Sequence, residues 1–110
     1  ATRDRIDAAF LACLPRGAHL VNVARGELVV DADVIAALDA GHLASATLDV
    51  FREEPLPADH PFWHHPRVTV TPHISAVTLV EPAIAQIAER ILAIERGDAS
   101  LGAIDPARGY

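Results

Sequence analysis

The fold is decided by the stretch AHLVNVARGELVVDADVIAALDAGHLASATLDV, residues 18–50. It opens with an apolar run from Ala18 to Val23, which predicts a buried strand. Asp31 is placed to cap a helix that ends at Gly41, where glycine supplies the turn. A second apolar run, Ala46 to Val50, follows at once. This stretch therefore predicts a strand, a helix and a second strand in succession.

The same alternation continues on both sides of this stretch. Residues 51–67 hold four of the eight prolines and predict an ordered surface loop, after which Val68 to Thr71 forms a third short strand. Upstream, Pro15 ends a predicted helix, and Gly17 makes a turn before the first strand. The apolar positions of that first helix are Ile6, Ala9, Phe10 and Cys13.

The last predicted helix has its own start and stop signals. Thr78 and Glu81 have the spacing of a capping box, and Pro82 lies in the first turn, where its missing N–H does little harm. Gly97 closes the helix, and the tail from Asp98 to Tyr110 shows no periodicity. The helix carries one continuous apolar stripe, made of Ile84, Ile87, Ala88, Ile91 and Leu92.

Strands that are nearly all apolar and alternate with helices indicate an α/β fold, with a parallel sheet covered on both faces. Three strands make only a partial sheet. The sequence has no internal repeat and no GxGxxG, the phosphate-binding turn that opens a Rossmann domain. We expect that turn to precede residue 1 in a longer parent protein.

Length and composition exclude several classes of protein. A chain of 110 residues allows one core and not two ordinary domains. The net charge of -6 argues against a nucleic-acid-binding surface, and no apolar run is long enough to cross a membrane. Cys13 is the only cysteine, so we expect a buried thiol in a reducing cytoplasm rather than a disulfide or a zinc cluster.

Three polar side chains, Arg25, Glu54 and His73, each follow a predicted strand, at the edge where a parallel sheet presents residues to a ligand. The guanidinium of Arg25 suits a 2-oxo acid, because it can bind the carboxylate in a bidentate manner and polarise the carbonyl. His73 suits proton transfer to the carbonyl oxygen. Glu54 is a carboxylate that can hold the His73 ring and favour its protonated form.

Other interpretations of these residues stay open. Arg25 can instead pair with Glu27 at the surface, and a lone histidine is more often structural than catalytic. Glu53 and Glu54 can both belong to a solvated acidic loop. Asp49 is acidic within an apolar run, so its burial requires hydrogen bonds.

Two further groups of residues have simple explanations. His60, His64 and His65 lie near Asp59, but their spacing matches no zinc signature, so we predict no metal site. Phe62 and Trp63 predict an aromatic anchor for the long loop.

The order and spacing of NVARGE, TLDVF, EEPLP and TPHIS resemble the second half of the nucleotide-binding domain of the D-isomer-specific 2-hydroxyacid dehydrogenases. The likeness extends over almost the whole chain. Within the family, EPLPADHPFWHHPRVTVTPHISAVT and the terminal DPARGY are most similar to the glyoxylate/hydroxypyruvate reductase A type. The resemblance implies a C-terminal fragment of a Rossmann-type domain (residues 1–77), followed by a long helix and tail (78–110) that pack towards an absent substrate domain.

The resemblance also implies roles for single residues. Arg25, Glu54 and His73 would be catalytic, and Arg25 and His73 would also bind the substrate. Asp49 would accept hydrogen bonds from the nicotinamide carboxamide, the alternative being that it caps a neighbouring turn. The full set implied to contact the cofactor is Val23, Ala24, Arg25, Asp49, His73, Ser75 and Ala76.

The implied reaction is hydride transfer from NAD or NADP to a small 2-oxo acid such as glyoxylate or hydroxypyruvate, to give the 2-hydroxy acid. The subgroup resemblance favours NADP, and family members form homodimers. We expect the isolated chain to be inactive, because the substrate domain is missing. Two alternatives are a related dehydrogenase with another substrate, such as 3-phosphoglycerate or formate, and a non-catalytic nucleotide-binding or interaction module.

Overall fold

The structure is a computed structural model that describes residues 2–98. The described residues fall into two compact units: Thr2–Ala76, and a second unit that starts at Val77. The predicted tail after Asp98 and the terminal DPARGY lie outside the described residues. The predicted division at residue 77 into a nucleotide-binding part and a part that packs on a substrate domain remains a prediction.

The first unit is built on a three-stranded parallel sheet, as the sequence predicts. Its strands are β1 (Ala18–Asn22), β2 (Leu43–Leu48) and β3 (Val68–Val70), in the order β1-β2-β3. In the register, Val21 pairs with Thr47, which pairs with Thr69. The carboxyl ends of all three strands therefore lie along one edge.

The helices of this unit are α1 (Ala8–Ala12), capped by the Asp7 carboxylate, and α2 (Asp31–Asp39). Short 3-10 turns cover Gly26–Leu28 and Pro61–Trp63. The N-cap of α2 is Val30, so the prediction that Asp31 caps this helix is wrong. Asp31 instead lies in the first turn, where its negative charge faces the positive end of the helix dipole.

The core lies on one face of the sheet. Along β1, Leu20 and Asn22 are buried while His19 and Val21 are exposed, so this strand alternates. The prediction of a sheet covered on both faces is therefore not met within Thr2–Ala76, because α1, α2 and the loop all contribute to the same core. That core is formed chiefly by Leu11, Leu20, Val29, Val34, Leu38, Leu43, Ala46, Leu48, Phe51 and Phe62.

Two other expectations about this unit are wrong. Strand β2 begins at Leu43 rather than Ala46, because the turn at Gly41 (φ +65°) brings the buried Leu43 into register with Ala18. Cys13 is exposed, and its thiol donates to the Ala9 carbonyl at 3.3 Å. The helix ends at Ala12, so the apolar periodicity does not carry Cys13 into the core.

The second unit contains α3 (Val80–Glu95), the long C-terminal helix that the sequence predicts. Its N-cap is Leu79, with no side-chain hydrogen bond, so the predicted capping box of Thr78 and Glu81 does not form. Gly97 has φ +84° and ends the helix as expected. The apolar residues Ile84, Ile87, Ile91 and Leu92 are exposed. Among the described helices, none is both long and apolar enough to cross a membrane.

Candidate active site

The edge formed by the strand ends brings Arg25, Glu54 and His73 together. Arg25 follows β1, Glu54 lies in the loop after β2, and His73 follows β3. All three line a cavity of about 240 Å³. The remaining lining residues are Gly26, Glu27, Val50, Phe51 and Arg52. Residues 48 positions apart in the sequence are thus neighbours at the sheet edge.

Glu54 and His73 are in direct contact, which the sequence spacing does not show. The Nδ1 atom of His73 lies 2.8 Å from Oε2 of Glu54. The other carboxylate oxygen, Oε1, accepts from the backbone N–H of Phe51 at 2.9 Å. The hydrogen bond from His73, followed by that from Phe51, lowers the pKa of Glu54 below its usual value, so Glu54 stays ionised at neutral pH.

The Glu54 contact also fixes which atom of the His73 ring is available for chemistry. Because Nδ1 faces a carboxylate, it carries a proton, and Nε2 is the remaining ring nitrogen. Half of the His73 side chain is exposed, so Nε2 can meet a ligand. The arrangement therefore supports proton transfer at Nε2.

The turn that carries His73 is held by Asp49. His73 has φ +54°, a left-handed backbone conformation that is uncommon for residues other than glycine. The Asp49 carboxylate accepts from the Thr71 hydroxyl, from Ile74 N at 2.9 Å and from Ser75 N at 3.0 Å. These donors flank His73 on both sides, so they hold the turn in its strained conformation.

Asp49 itself is only 1% exposed. Burial opposes its ionisation, but the hydrogen bonds from Thr71, Ser75 and Ile74 outweigh this and hold the pKa of Asp49 well below its usual range. These bonds correspond to the alternative in which Asp49 caps a neighbouring turn. Contact between Asp49 and a nicotinamide carboxamide is not needed to explain its burial, and it stays a prediction.

Arg25 is exposed at the mouth of this cavity. Its guanidinium donates to the Ala24 carbonyl through Nη1 at 2.6 Å. Within residues 2–98, no carboxylate lies at ion-pair distance from it, so the alternative pairing with Glu27 does not form. The remaining donors of Arg25 are therefore free to bind an anion.

Gly26 is buried against the backbone of another segment. A Cβ atom at this position would lie 1.9 Å from the carbonyl carbon of Phe51 and 2.1 Å from its oxygen. A side chain at this position would therefore collide with the backbone of Phe51, so only glycine allows the two segments to pack this closely. The absence of a side chain sets the separation between the Arg25 turn and the segment that leads to Glu54.

The sequence analysis missed Asn22, which is 4% exposed at the end of β1. Its Nδ2 donates to the Arg25 carbonyl at 2.9 Å, and its Oδ1 accepts from Ala24 N at 3.1 Å. The only sequence signal was a polar residue inside an apolar run. Arg52 was also missed; it donates to the Val29 carbonyl and to Asp4, which ties residues 51–54 to the rest of the unit.

Two of the three histidines of the long loop, His60 and His65, have side-chain partners in α2. Nε2 of His60 lies 3.5 Å from Oδ2 of Asp31, and Nε2 of His65 lies 3.3 Å from Oδ1 of Asp39. Both contacts connect the loop to α2. No group of three or more possible metal ligands is found in residues 2–98. Phe62 is buried as the predicted anchor, whereas Trp63 is 47% exposed and donates to the Pro57 carbonyl. The anchor is therefore Phe62 alone.

The other residues implied to contact the cofactor lie on the same edge and are exposed. Val23 is 54% exposed, and Ala24, Ser75 and Ala76 are exposed residues with small side chains. Adjacent parallel strands are about 5 Å apart, so the ends of β1 and β3 are separated by about 10 Å. No bulky side chain projects from Ala24, Ser75 or Ala76, and contact of these positions with a cofactor stays a prediction.

A second, larger cavity of about 420 Å³ adjoins the site and shares Phe51, Glu54 and His73 with it. Its other lining residues are mainly apolar: Pro55, Leu56, Trp63, Val70 and Pro72. The Glu54–His73 pair thus lies between a cavity that contains Arg25 and an apolar one.

Residues 1–75 match the family described as D-isomer specific 2-hydroxyacid dehydrogenase, NAD binding domain. The chain belongs to this family. The match covers the whole sheet together with Arg25, Glu54 and His73. The predicted fold, part of a Rossmann-type parallel-sheet domain followed by a long helix, is confirmed.

Relatives in this family include two bacterial glyoxylate/hydroxypyruvate reductases A. The chain is 50% identical to the protein from Yersinia enterocolitica and 52% identical to that from Serratia proteamaculans, over 109 residues in each case. These matches cover 99% of the chain but only 35% of each relative. The chain therefore spans about a third of the length of these family members.

Solved structures of family members show the same fold. A D-isomer specific 2-hydroxyacid dehydrogenase from Xanthobacter autotrophicus Py2, in complex with NADPH and MES, matches with a TM-score of 0.88 and 50% identity, covering 99% of this chain and 45% of that one. The NADPH-dependent glyoxylate/hydroxypyruvate reductase from Sinorhizobium meliloti, in complex with NADP and sulfate, matches with a TM-score of 0.83 and 38% identity, covering 99% and 36%.

Acid is expected to destabilise this family domain through Glu54 and Asp49. Each has a lowered pKa in the folded chain, so its contribution to stability is present above the unfolded value, about 4, and is lost as pH falls through the folded value. In urea titrations from pH 7 to pH 3, Glu54→Gln should lower the midpoint at pH 7 and reduce its fall towards pH 3.

The neighbouring Glu53 is the matched control, because it is exposed and does not line the cavity that contains Glu54. Glu53→Gln should leave both the midpoint at pH 7 and its fall towards pH 3 unchanged. Equal effects of the two substitutions would show that the Glu54–His73 contact does not stabilise the site.

Proposed function

We propose that this chain supplies the acid/base and carboxylate-binding residues of an NADPH-dependent reductase that converts glyoxylate or hydroxypyruvate into the corresponding 2-hydroxy acid. The observation that carries the proposal is the Glu54–His73 pair at 2.8 Å in the cavity that Arg25 also lines. Such a cavity holds an anion-binding group and a proton donor at once. A small 2-oxo acid needs both, since it has a carboxylate beside the carbonyl that is reduced.

The names of the relatives support the same substrates and cofactor. The proteins from Yersinia enterocolitica and Serratia proteamaculans are glyoxylate/hydroxypyruvate reductases A, and the structure from Sinorhizobium meliloti contains NADP. Identity to the first two is about half over 99% of this chain. NADP is therefore preferred here to NAD, although the family description says NAD binding.

Arg25 binds and polarises the substrate in this proposal. Its guanidinium has no carboxylate partner within the described residues, and it forms strong bidentate hydrogen bonds to a carboxylate ligand. Its positive charge also stabilises the negative charge that develops on the carbonyl oxygen. Arg25 therefore acts on both oxygen-bearing groups of the 2-oxo acid.

His73 provides the proton. When bound, a nicotinamide cofactor supplies the hydride that adds to the carbonyl carbon. The Nε2–H of His73 donates its proton to the carbonyl oxygen, and the neutral ring keeps its Nδ1 proton towards Glu54. The C–O double bond becomes a hydroxyl group, and a proton (H⁺) taken up from the solution then restores the proton on Nε2, so that each turnover consumes one proton. Glu54 stabilises the charged ring before this transfer and orients it throughout.

The nicotinamide end would lie across the exposed residues Val23, Ala24, Ser75 and Ala76. These positions follow β1 and β3, on both sides of the buried Asp49. None of these side chains is bulky, and the apolar ones of Val23, Ala24 and Ala76 exclude water from one side of a flat ring without crowding it. Homodimer formation and a cytoplasmic location remain part of this proposal.

A chimera tests the proposed function. This chain replaces the matching 109 residues of the Serratia proteamaculans reductase, which supplies the rest of the enzyme. NADPH oxidation is then followed with glyoxylate and hydroxypyruvate, and with NADH in place of NADPH. 3-Phosphoglycerate and formate would donate hydride rather than accept it, so they are tested in the opposite direction, by the reduction of NADP⁺ or NAD⁺. Turnover of the first two with NADPH supports the proposal. A folded chimera that binds NADPH without turnover would support a non-catalytic nucleotide-binding module instead.

Arg25→Lys in this chimera should raise KM for glyoxylate about 10- to 100-fold, because lysine cannot form the bidentate hydrogen bonds of a guanidinium. The KM for NADPH should change much less. Arg16→Lys is the control, because Arg16 is exposed and lies outside the cavity. An unchanged KM for glyoxylate in Arg25→Lys would remove Arg25 from the substrate site.

A further inference from the structure

Two polar side chains, Asn22 and Asp49, are buried in the described part of the chain, and they are neighbours. The backbone N–H of Asp49 donates to the Asn22 carbonyl at 3.0 Å, at the point where β1 and β2 end side by side. Burying polar groups is unfavourable unless they are hydrogen-bonded. No buried side-chain nitrogen or oxygen in residues 2–98 lacks a partner. Each of these two side chains therefore has defined partners.

The partners of Asn22 form the turn that carries Arg25. Its side-chain amide donates to the carbonyl of Arg25 and accepts from the N–H of Ala24. A single side chain thus closes the backbone of the turn from within. The Arg25 side chain is exposed, so this buried amide fixes the backbone from which the side chain extends.

The partners of Asp49 form the turn that carries His73. Its carboxylate binds Thr71 on one side of His73, and Ile74 and Ser75 on the other. His73 has the left-handed φ of +54°, which persists only when surrounding contacts fix it. The Glu54 contact fixes the ring, while Asp49 fixes the backbone that carries it.

We propose that Asn22 and Asp49 are a pair of positioning residues that set the separation between the guanidinium of Arg25 and the imidazole of His73. This inference rests on the proposed function and adds the residues that make its geometry. Neither side chain needs to touch the substrate. Each acts through backbone groups of the turn beside it, and the backbone hydrogen bond from Asp49 N to the Asn22 carbonyl joins the two strand ends from which the chain leads into these turns.

Substitution of Asn22 and substitution of Asp49 should have different kinetic effects. Asn22→Ser removes the long donor to the Arg25 carbonyl, so it should displace the carboxylate-binding group and raise KM for glyoxylate about tenfold. Asp49→Asn has nearly the same shape but cannot accept hydrogen bonds at both terminal atoms. It should displace His73 and lower kcat about 10- to 100-fold, with a smaller change in KM.

The experiment measures kcat, KM and the pH profile of kcat for both variants in the chimera. Asp49→Asn should change the pH profile of kcat, because it displaces the acid/base residue His73. Asn22→Ser should leave this profile unchanged. Asp39→Asn is the matched control, because it makes the same chemical change at an exposed residue that pairs with His65. It should match the unchanged chimera in all three measurements.

A merely structural role gives a different result. If both variants lower kcat and raise KM in proportion to their loss of thermal stability, with unchanged pH profiles, the positioning inference is wrong.

If the unchanged chimera does not turn over, the proposed function fails. Hydrogen exchange in the 110-residue chain then decides the inference by itself. Asp49→Asn should remove protection at Ile74 and Ser75, and unchanged protection would overturn the anchoring role of Asp49.

Discussion

A Gly26→Ala variant is expected to unfold at a much lower urea concentration than the unchanged chain, with a loss of about 3 kcal/mol or more in the free energy of unfolding. The added Cβ would lie 1.9 Å from the Phe51 carbonyl carbon, 2.1 Å from its oxygen and 2.5 Å from Arg52 N. All three are backbone atoms, so no side chain can rotate away. Relief requires the Arg25 turn to separate from residues 51–54.

Gly17→Ala is the matched control for this prediction. Gly17 has φ +83°, so alanine there is strained, but nothing lies within 4 Å of the new Cβ. Its cost should be roughly 1 kcal/mol, from backbone conformation alone. Urea unfolding followed by circular dichroism gives both values. If Gly26→Ala is no less stable than Gly17→Ala, the close packing of Gly26 on Phe51 is wrong.

His73→Asn in the chimera should lower kcat for glyoxylate reduction by about 10²- to 10⁴-fold, because the proton donor to the carbonyl oxygen is lost. Asparagine is suited to this position, since it adopts the left-handed backbone conformation more readily than most residues. The turn held by Asp49 should therefore persist, and KM for glyoxylate should change little. Steady-state kinetics with NADPH measures both quantities.

His64→Asn makes the same substitution at an exposed histidine of the long loop, and it should leave kcat unchanged. The proposed acid/base role of His73 would be contradicted if His73→Asn kept more than about a tenth of kcat. A large rise in KM for NADPH alone would instead indicate that His73 lies beside the cofactor without donating a proton.

Much of this architecture could be predicted from local sequence patterns. The apolar run from Ala18 places β1, and residues 68–71 contain β3, because short runs rich in apolar and β-branched residues favour strands. The positions of Arg25 and His73 after strands place them at one edge, since parallel strands end on the same side. Predictions about caps were less accurate. Val30 and Leu79 precede the helices without any side-chain hydrogen bond.

Other features could not be predicted, because they depend on segments far apart in the chain. From the sequence, a buried Asp49 required hydrogen-bond donors that could not be identified. The folded chain shows these donors at residues 71, 74 and 75. The need for glycine at position 26 could not be predicted, because the backbone it packs against lies at Phe51. Asn22 was overlooked for a different reason, because its partners at Ala24 and Arg25 are near in sequence but meet its side chain only once the turn after β1 has formed.

The α/β class, the alternation of strands and helices, and the identity of the residues at the strand ends follow from local sequence patterns. Periodicity and turn residues carry this information, because each reflects neighbours a few positions apart. Three features became visible in the folded chain and not before: Glu54 contacts His73, Asp49 holds the His73 turn, and one face of β1 is exposed. These features join residues far apart in sequence, and their separation in space depends on how the sheet, the turns and the loop pack together.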